Sequence, residues 1–302
     1  MEMELPLLAP FTARDGENLA LYEWPMAAWE ADNALPPRAV VLIVHGLGEH
    51  ASRYDHVAKQ LLEWGFAARA YDQRGHGESG GERGGLSSET LLLEDLAEVV
   101  DDTRQRALRL PRPDGADSAA EPLPLILLGH SLGGLVAGRF VSLKVRPVEG
   151  LVMSSPALDP GLNLFQKLLL ATLPRLAPNL RVNNGLKPEF ISHDPQVVSR
   201  YRADPRVHAK ISARLAQFIA TAGPATVAAA SQWSTPTLLM YAGADKLVNP
   251  AGSRAFAEAA AARDGARVVT ARCFEAHYHE LFNELERAPV FASLKAWLDA
   301  RF

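Results

Sequence analysis

Six short runs rich in apolar and β-branched residues punctuate this chain: Val40–Val44, Ala67–Tyr71, Leu125–Leu128, Leu151–Ser154, Thr237–Tyr241 and Arg267–Phe274. Stretches of helical periodicity separate most of them, near His56–Trp64, Ser88–Leu110, Leu132–Val145 and Gly252–Arg263, with another at Pro289–Arg301. Parallel strands need long crossovers, and a helical crossover also covers a face of the sheet. The alternation therefore predicts an α/β chain with a mostly parallel central sheet flanked by helices. Ahead of it, Phe11 to Trp24 reads as a two-stranded hairpin turning at Asp15-Gly16, a pair suited to a tight turn.

Two stretches break the rhythm. Pro111 to Pro124, rich in Pro, Ala, Asp and Gly, reads as a surface loop. Residues 157–232 read as a helical insertion, with apolar patches at Leu164–Leu176 and Val207–Ala222 and no clear strand. It would follow the sixth strand, counting the hairpin, which ends at Ser154. Leu164, Leu168, Leu169, Thr172 and Leu176 recur at helical spacing, giving the insertion an apolar face. That face would pack on the rest of the chain or line a route for an apolar ligand.

The third run leads into Gly129-His130-Ser131-Leu132-Gly133, and a helical pattern follows at once. A strand that breaks into a helix at G-x-S-x-G holds its serine on a tight turn with the hydroxyl exposed. A serine hydroxyl is a weak nucleophile until a histidine accepts its proton, and that histidine works best when a carboxylate orients it. On an elbow of this kind the acid and then the histidine follow the serine along the chain. Asp245 lies just after the fifth run, and His277 and His279 lie just after the sixth, at carboxyl ends of predicted strands. Asp159 is the alternative acid. Spacing does not choose between the two histidines. Oxyanion donors are expected from the backbone N–H groups of Leu132 and of Leu47, in the turn His45-Gly46-Leu47-Gly48-Glu49-His50.

Other readings are excluded or bland. His45 and His50 have no partner cluster with metal-ligand spacing, so neither metal nor cofactor is expected. Asp72-Gln73-Arg74-Gly75-His76-Gly77-Glu78-Ser79 lacks the ending of a phosphate loop and reads as a structural turn beside the site. With 302 residues the chain can bury a substantial core, and a net charge of −4 without like-charged blocks gives no basis for binding nucleic acid. The single Cys273 reads as a buried structural thiol and suits a reducing compartment. Met1-Glu2-Met3-Glu4 carries acids where a signal peptide has a basic region, and no run is long enough to span a membrane. A cytoplasmic protein is expected.

With these residues in view, the chain resembles the α/β-hydrolase superfamily, and within it the monoacylglycerol lipase and lysophospholipase group. The likeness rests on residues 45–50 with Arg53-Tyr54, Asp72 through Ser79, Gly129 through Gly134, Ser154-Ser155-Pro156, Gly243-Ala244-Asp245 and Tyr278-His279. Ser192-His193-Asp194-Pro195, Tyr201 and Asp204-Pro205 look like the group's cap sequence. The resemblance implies an α/β-hydrolase core over 1–156 and 233–302 with a helical cap over 157–232. It implies Ser131 as nucleophile, Asp245 as acid and His279 as base, with Leu47 and Leu132 at the oxyanion. Glu49, Arg53 and Tyr201 would bind substrate, although the residues alone read Glu49 and Arg53 as a surface ion pair. Phe282 stands where mammalian members carry a pocket histidine.

The function so implied is hydrolysis of a carboxylic ester of a monoacyl lipid through an acyl-enzyme on Ser131. Lysophospholipids, or small soluble esters and thioesters, are the alternative substrates, and a non-catalytic binding protein of the same fold is the remote one. The partner is a small lipid ester, with transient contact of the cap with a membrane surface, in a monomer or homodimer.

Overall fold

Five of the six predicted runs keep nearly their expected bounds as strands, because each is mostly apolar and so suits a strand buried on both faces, Arg69 in the second being buried with Asp102 as its partner. The computed structural model describes residues 11–24, 37–108, 110, 122–161, 172–264 and 267–302. In chain order its elements are β1 (Phe11–Thr12), β2 (Asn18–Leu19), β3 (Leu21–Glu23), β4 (Val40–Val44), α1 (Asp55–Glu63), β5 (Ala67–Tyr71), α2 (Leu91–Ala107), β6 (Leu125–His130), α3 (Leu132–Ser142) and β7 (Gly150–Ser154). The insertion follows, with β8 (Arg181–Asn183), α4 (Pro195–Ala203), β9 (Lys210–Ser212) and α5 (Ala213–Ala229). The chain closes with β10 (Thr237–Ala242), α6 (Pro250–Asp264), β11 (Val269–Phe274) and α7 (Ala288–Asp299).

The central sheet has seven strands in the order β11-β10-β7-β6-β4-β5-β3. Every pair is parallel except β3 with β5. This is the α/β-hydrolase fold. Alternate residues of each strand face opposite sides: Val40, Leu42 and Val44 join one apolar cluster with α2, α3, α5 and α6, while Val41 and Ile43 join another with α1 and α7. The hairpin turns at Asp15-Gly16 as expected, with Gly16 at φ 89°, but it is only β1 with β2. The chain beyond it swings away to become the antiparallel edge strand β3.

Three expectations change. The insertion contains a two-stranded antiparallel ribbon of β8 and β9, too short to show a period-2 pattern in the sequence. The sixth run begins its strand at Val269 rather than Arg267. Cys273 is half-buried rather than buried, because β11 is an edge strand with a neighbour on one side only. Most of the loop predicted at Pro111–Pro124, and residues 162–171 of the apolar face, lie outside the described residues. Of the insertion, α5 packs on the body of the fold: Leu215, Phe218 and Ala222 enter the α2–α3 cluster, and a Cβ on Gly223 would lie 2.4 Å from the Leu158 carbonyl.

Candidate active site

The ends of β4, β6, β10 and β11 lie along one edge of the sheet, and each carries part of the predicted constellation. At the end of β6, Ser131 adopts φ 54° and ψ −117°, a region costly for an L residue. The backbone is held there from both sides: Ser131 N–H donates to the Ser154 carbonyl at 3.0 Å, and its own carbonyl accepts from Leu135 and Ala157. The glycines are required by close approach. A Cβ on Gly129 would lie 2.4 Å from the Gly133 carbonyl oxygen, and one on Gly133 only 2.0 Å from that of Val44. Strand and helix can therefore cross within backbone distance, leaving Ser131 half-buried between the buried His130 and Leu132.

Residues 45–50 leave β4, whose Val44 pairs with Gly129 of β6, so this loop runs against the elbow. A Cβ on Gly46 would come 3.2 Å from Ser131 Cβ. Leu132 is the first residue of α3, where helix geometry leaves the N–H without an intrahelical acceptor. Gly46, the residue before Leu47, and Leu132 thus both lie beside Ser131.

Asp245 and His279 meet, with His279 Nδ1 2.7 Å from Asp245 Oδ2. The other carboxylate oxygen accepts the N–H groups of Leu247 at 2.8 Å and Val248 at 3.0 Å. Burial alone would raise the Asp245 pKa, but the His279 charge and these hydrogen bonds leave it lowered. An ionised carboxylate can only accept, so the shared proton sits on Nδ1 and Nε2 is the basic nitrogen of the ring. Burial disfavours the charged imidazole, yet Asp245 first, then Glu280 and Glu49, hold the His279 pKa above its usual 6.5. The ring lies 4.7 Å from that of His130, which precedes Ser131. Burial, aided by His279, brings the His130 pKa down to about 4.

The alternatives have other partners. His277 Nε2 donates to the Glu286 carbonyl at 3.0 Å. Asp159 accepts from Asn249 Nδ2 at 2.7 Å and from Gly161 N–H. His45 and His50 are structural: His45 Nε2 accepts the Gln73 N–H at 2.8 Å, and His50 Nε2 lies 2.9 Å from Asp204. No group suited to a metal ion occurs among the described residues.

Glu49 and Arg53 do not form the surface ion pair that the residues alone suggested. Glu49 is 3% exposed, and its Oε1 accepts the Gly46 N–H at 2.6 Å and the Tyr54 hydroxyl at 2.7 Å. Its Oε2 is paired with Arg53, whose guanidinium faces the Tyr201 ring at 4.9 Å from its centroid. Burial opposes ionisation of Glu49, but Arg53 and then the neighbouring imidazoles hold its pKa at about 2. Sequence reasoning missed Glu280, which bonds both Nη1 and Nη2 of Arg53 at 2.7 Å. Its position directly after His279 was the available signal. Phe282 is buried against Phe291 on the α7 side of the sheet.

The insertion sits on these loops. His208 N–H donates to the Gly48 carbonyl at 2.9 Å, and its ring packs 4.7 Å from that of His76 in the turn after β5. That turn is structural, as expected: the Asp72 carboxylate accepts from Ala51 N–H, Glu78 N–H and the Tyr22 hydroxyl.

Residues 35–286 match the family model described as serine aminopeptidase, S33. A monoacylglycerol lipase of Mycolicibacterium smegmatis is 34% identical over 274 residues, covering 89% of this chain and 90% of that protein. Phospholipase YtpA of Bacillus subtilis is 30% identical over 278 residues, covering 91% and 99%. The crystal structure of the Paleococcus ferrophilus monoacylglycerol lipase superposes with a TM-score of 0.77 at 31% identity, covering 94% of this chain and 99% of that one.

Proposed function

The chain belongs to the serine aminopeptidase S33 family of α/β hydrolases and is a carboxylic ester hydrolase of the monoacylglycerol-lipase kind; on that premise we propose that Ser131, His279 and Asp245 carry out its chemistry. The observation that carries this reading is the hydrogen bond from His279 to the ionised Asp245, beside the strained turn of Ser131. His279 Nε2 takes the hydroxyl proton as Ser131 Oγ attacks the ester carbonyl. The N–H groups of Leu47 and Leu132 hold the oxyanion, and Asp245 stabilises the imidazolium. The imidazolium then protonates the leaving alcohol. Water, deprotonated in turn by His279, releases the fatty acid.

The substrate is a monoacyl lipid, monoacylglycerol foremost. In support, Arg53 already answers two carboxylates, Glu49 and Glu280, so the polar wall that they form has surplus negative charge. A neutral glycerol end suits that wall better than an anionic headgroup. Residues 157–232 act as the cap over a core of 1–156 and 233–302, with Tyr201 closing over Arg53. Leu176, 84% exposed, with the exposed Leu180 and Val182 nearby in sequence, supports transient contact of the cap with a membrane surface. No helix among the described residues is long and apolar enough to cross a membrane. The single cysteine suits a reducing compartment, and on that ground we propose a cytoplasmic location.

The test combines covalent labelling with a substrate series. A fluorophosphonate should label the wild-type protein at Ser131 and leave Ser131→Ala unlabelled and inactive on p-nitrophenyl esters. Among monoacyl esters, kcat/KM should rise beyond butyrate, and monoacylglycerol should outrun lysophosphatidate of equal chain length. Retained activity in Ser131→Ala, or a flat chain-length profile, contradicts the proposal.

A further inference from the structure

Glu280 follows His279 directly, and the residue is 5% exposed. It grips Arg53 in a two-pronged bond, Oε1 to Nη1 and Oε2 to Nη2, both 2.7 Å. Its Oε2 also accepts from Asn283 Nδ2 at 2.8 Å, which fixes the plane of the carboxylate. Arg53 Nη1 donates to Glu49 as well, and Glu49 Oε1 accepts the Gly46 N–H at 2.6 Å. A continuous line of charge-assisted bonds therefore runs from the residue after the base to the residue before Leu47. At the same point the Glu280 N–H donates to the Ile191 carbonyl in the cap at 2.8 Å.

We propose that Glu280 is a positioning residue for acyl transfer: through Arg53 and Glu49 it locks the Gly46–Leu47 backbone in the direction the oxyanion needs and holds the His279 loop in register with it. The proposal rests on the roles given above to Ser131, His279 and Leu47.

Two physical arguments support it. An oxyanion donor accelerates the reaction only if it is aimed before the charge develops, since a donor that must turn spends its stabilisation on reorganisation. Glu49 aims Gly46 with one oxygen, which the Tyr54 hydroxyl also steadies, and Arg53 anchors the other. A planar guanidinium gripped in a two-pronged fork by a second carboxylate keeps that anchor in place, which a lysine in place of Arg53 could not do. The second argument is electrostatic. The charges acting on the His279 ring are those of Asp245, Glu280 and Glu49, the last two bonded to the Arg53 guanidinium, while the neutral ring of His130 packs 4.7 Å away. Three carboxylates against one guanidinium leave negative charge around the ring, and Glu280 contributes to the environment that favours the imidazolium formed during catalysis.

The test uses the full chain with Glu280→Gln and Glu280→Asp, each rate divided by the sites that a fluorophosphonate titrates. Glu280→Gln turns an amide toward Arg53 and removes a charge. Its kcat per titrated site should fall about 10- to 100-fold, the cost typical of a reacting group misplaced by an ångström or less. On a p-nitrophenyl ester, which has no glycerol end to meet the polar wall, KM should stay within about twofold, because the positioning acts in the transition state rather than in the bound complex. The acid limb of kcat/KM should move to lower pH, which a loss of folded protein would not produce. Glu280→Asp keeps the charge but is too short to keep the fork, so its kcat should fall while the acid limb stays in place. An unchanged kcat per site in either variant, or an unmoved acid limb in Glu280→Gln, overturns the proposal. If Glu280→Gln does not fold, the kcat per site of Glu280→Asp decides alone. Wild-type protein that fails to label at Ser131 overturns the acyl-transfer reading itself, and this proposal with it.

Discussion

Asp245 and His279, 34 positions apart in the chain, meet with Oδ2 and Nδ1 separated by 2.7 Å, one from the loop after β10 and the other from the loop after β11. Their strands are neighbours and run parallel, with Ala242 opposite Phe274, so both loops emerge on the same edge of the sheet. The remaining hydrogen bonds of Asp245, to Leu247 and Val248, fix the carboxylate before any substrate arrives.

Asp245→Asn should lower kcat on p-nitrophenyl butyrate by about 10³- to 10⁴-fold, because an amide no longer imposes the tautomer that leaves Nε2 basic. Circular dichroism should find the fold intact. A loss below about tenfold would mean that the carboxylate does not orient the base.

The pH profile of kcat/KM follows from the raised pKa of His279. The base must be neutral, so activity should rise with pH and reach half its plateau above pH 6.5, the ordinary value for the ring. In Asp245→Asn the same limb should move down. A wild-type midpoint below that ordinary value would contradict the arrangement.

Acid should weaken the fold through imidazoles that serve no chemistry. Burial lowers the pKa of His208 to about 4, and holds that of His76 well below its usual 6.5, with His45 and His208 adding to the effect on His76. His208 Nδ1 accepts the Lys210 N–H, which the protonated ring cannot do. These rings stay neutral when folded but take up protons when unfolded. Stability is therefore present above about pH 6.5 and is lost as pH falls from there toward 4. Scanning calorimetry should record a falling Tm across that window, with a shallower fall in His208→Gln. An equal slope in the variant would count against it.

Gly133→Ala should cost more than about 4 kcal/mol or prevent folding, because its Cβ would meet the Val44 and His45 carbonyl oxygens at 2.0 and 2.4 Å. Gly138→Ala on the same helix meets only the side-chain atoms Met153 Sδ at 3.1 Å and Thr226 Cγ2 at 3.3 Å, which can shift. Urea unfolding of the two variants should separate them clearly, and similar midpoints would refute the close-approach argument.

Much of the site was legible before any tertiary structure, for local reasons. A nucleophile elbow is written in contiguous residues, since an apolar run, two glycines and a helical pattern all act within one turn of chain. Asp245 was readable as a carboxylate just beyond a strand. Spacing did not make the two-residue choice between His277 and His279, which only the resemblance pointed to, because both follow the same strand and the decision depends on where the neighbouring loop presents Asp245. The β8–β9 ribbon was missed because three-residue strands are too short to carry a period.

The sequence by itself determined the alternation of strands and helices, the elbow at Ser131 and the order of serine, acid and histidine, since each depends on periodicity or on neighbouring residues. Only the tertiary structure decided which histidine meets Asp245, that Glu49 and Arg53 are buried rather than exposed, and that Glu280 completes their ion pair. The reason is the strand order, which sets β4 beside β6 and β10 beside β11, and with the cap brings residues 46, 49, 53, 201 and 280 into one network. Contacts across more than two hundred positions leave no periodic trace in the chain. They arise from burial, which forces each charge removed from water to find a partner.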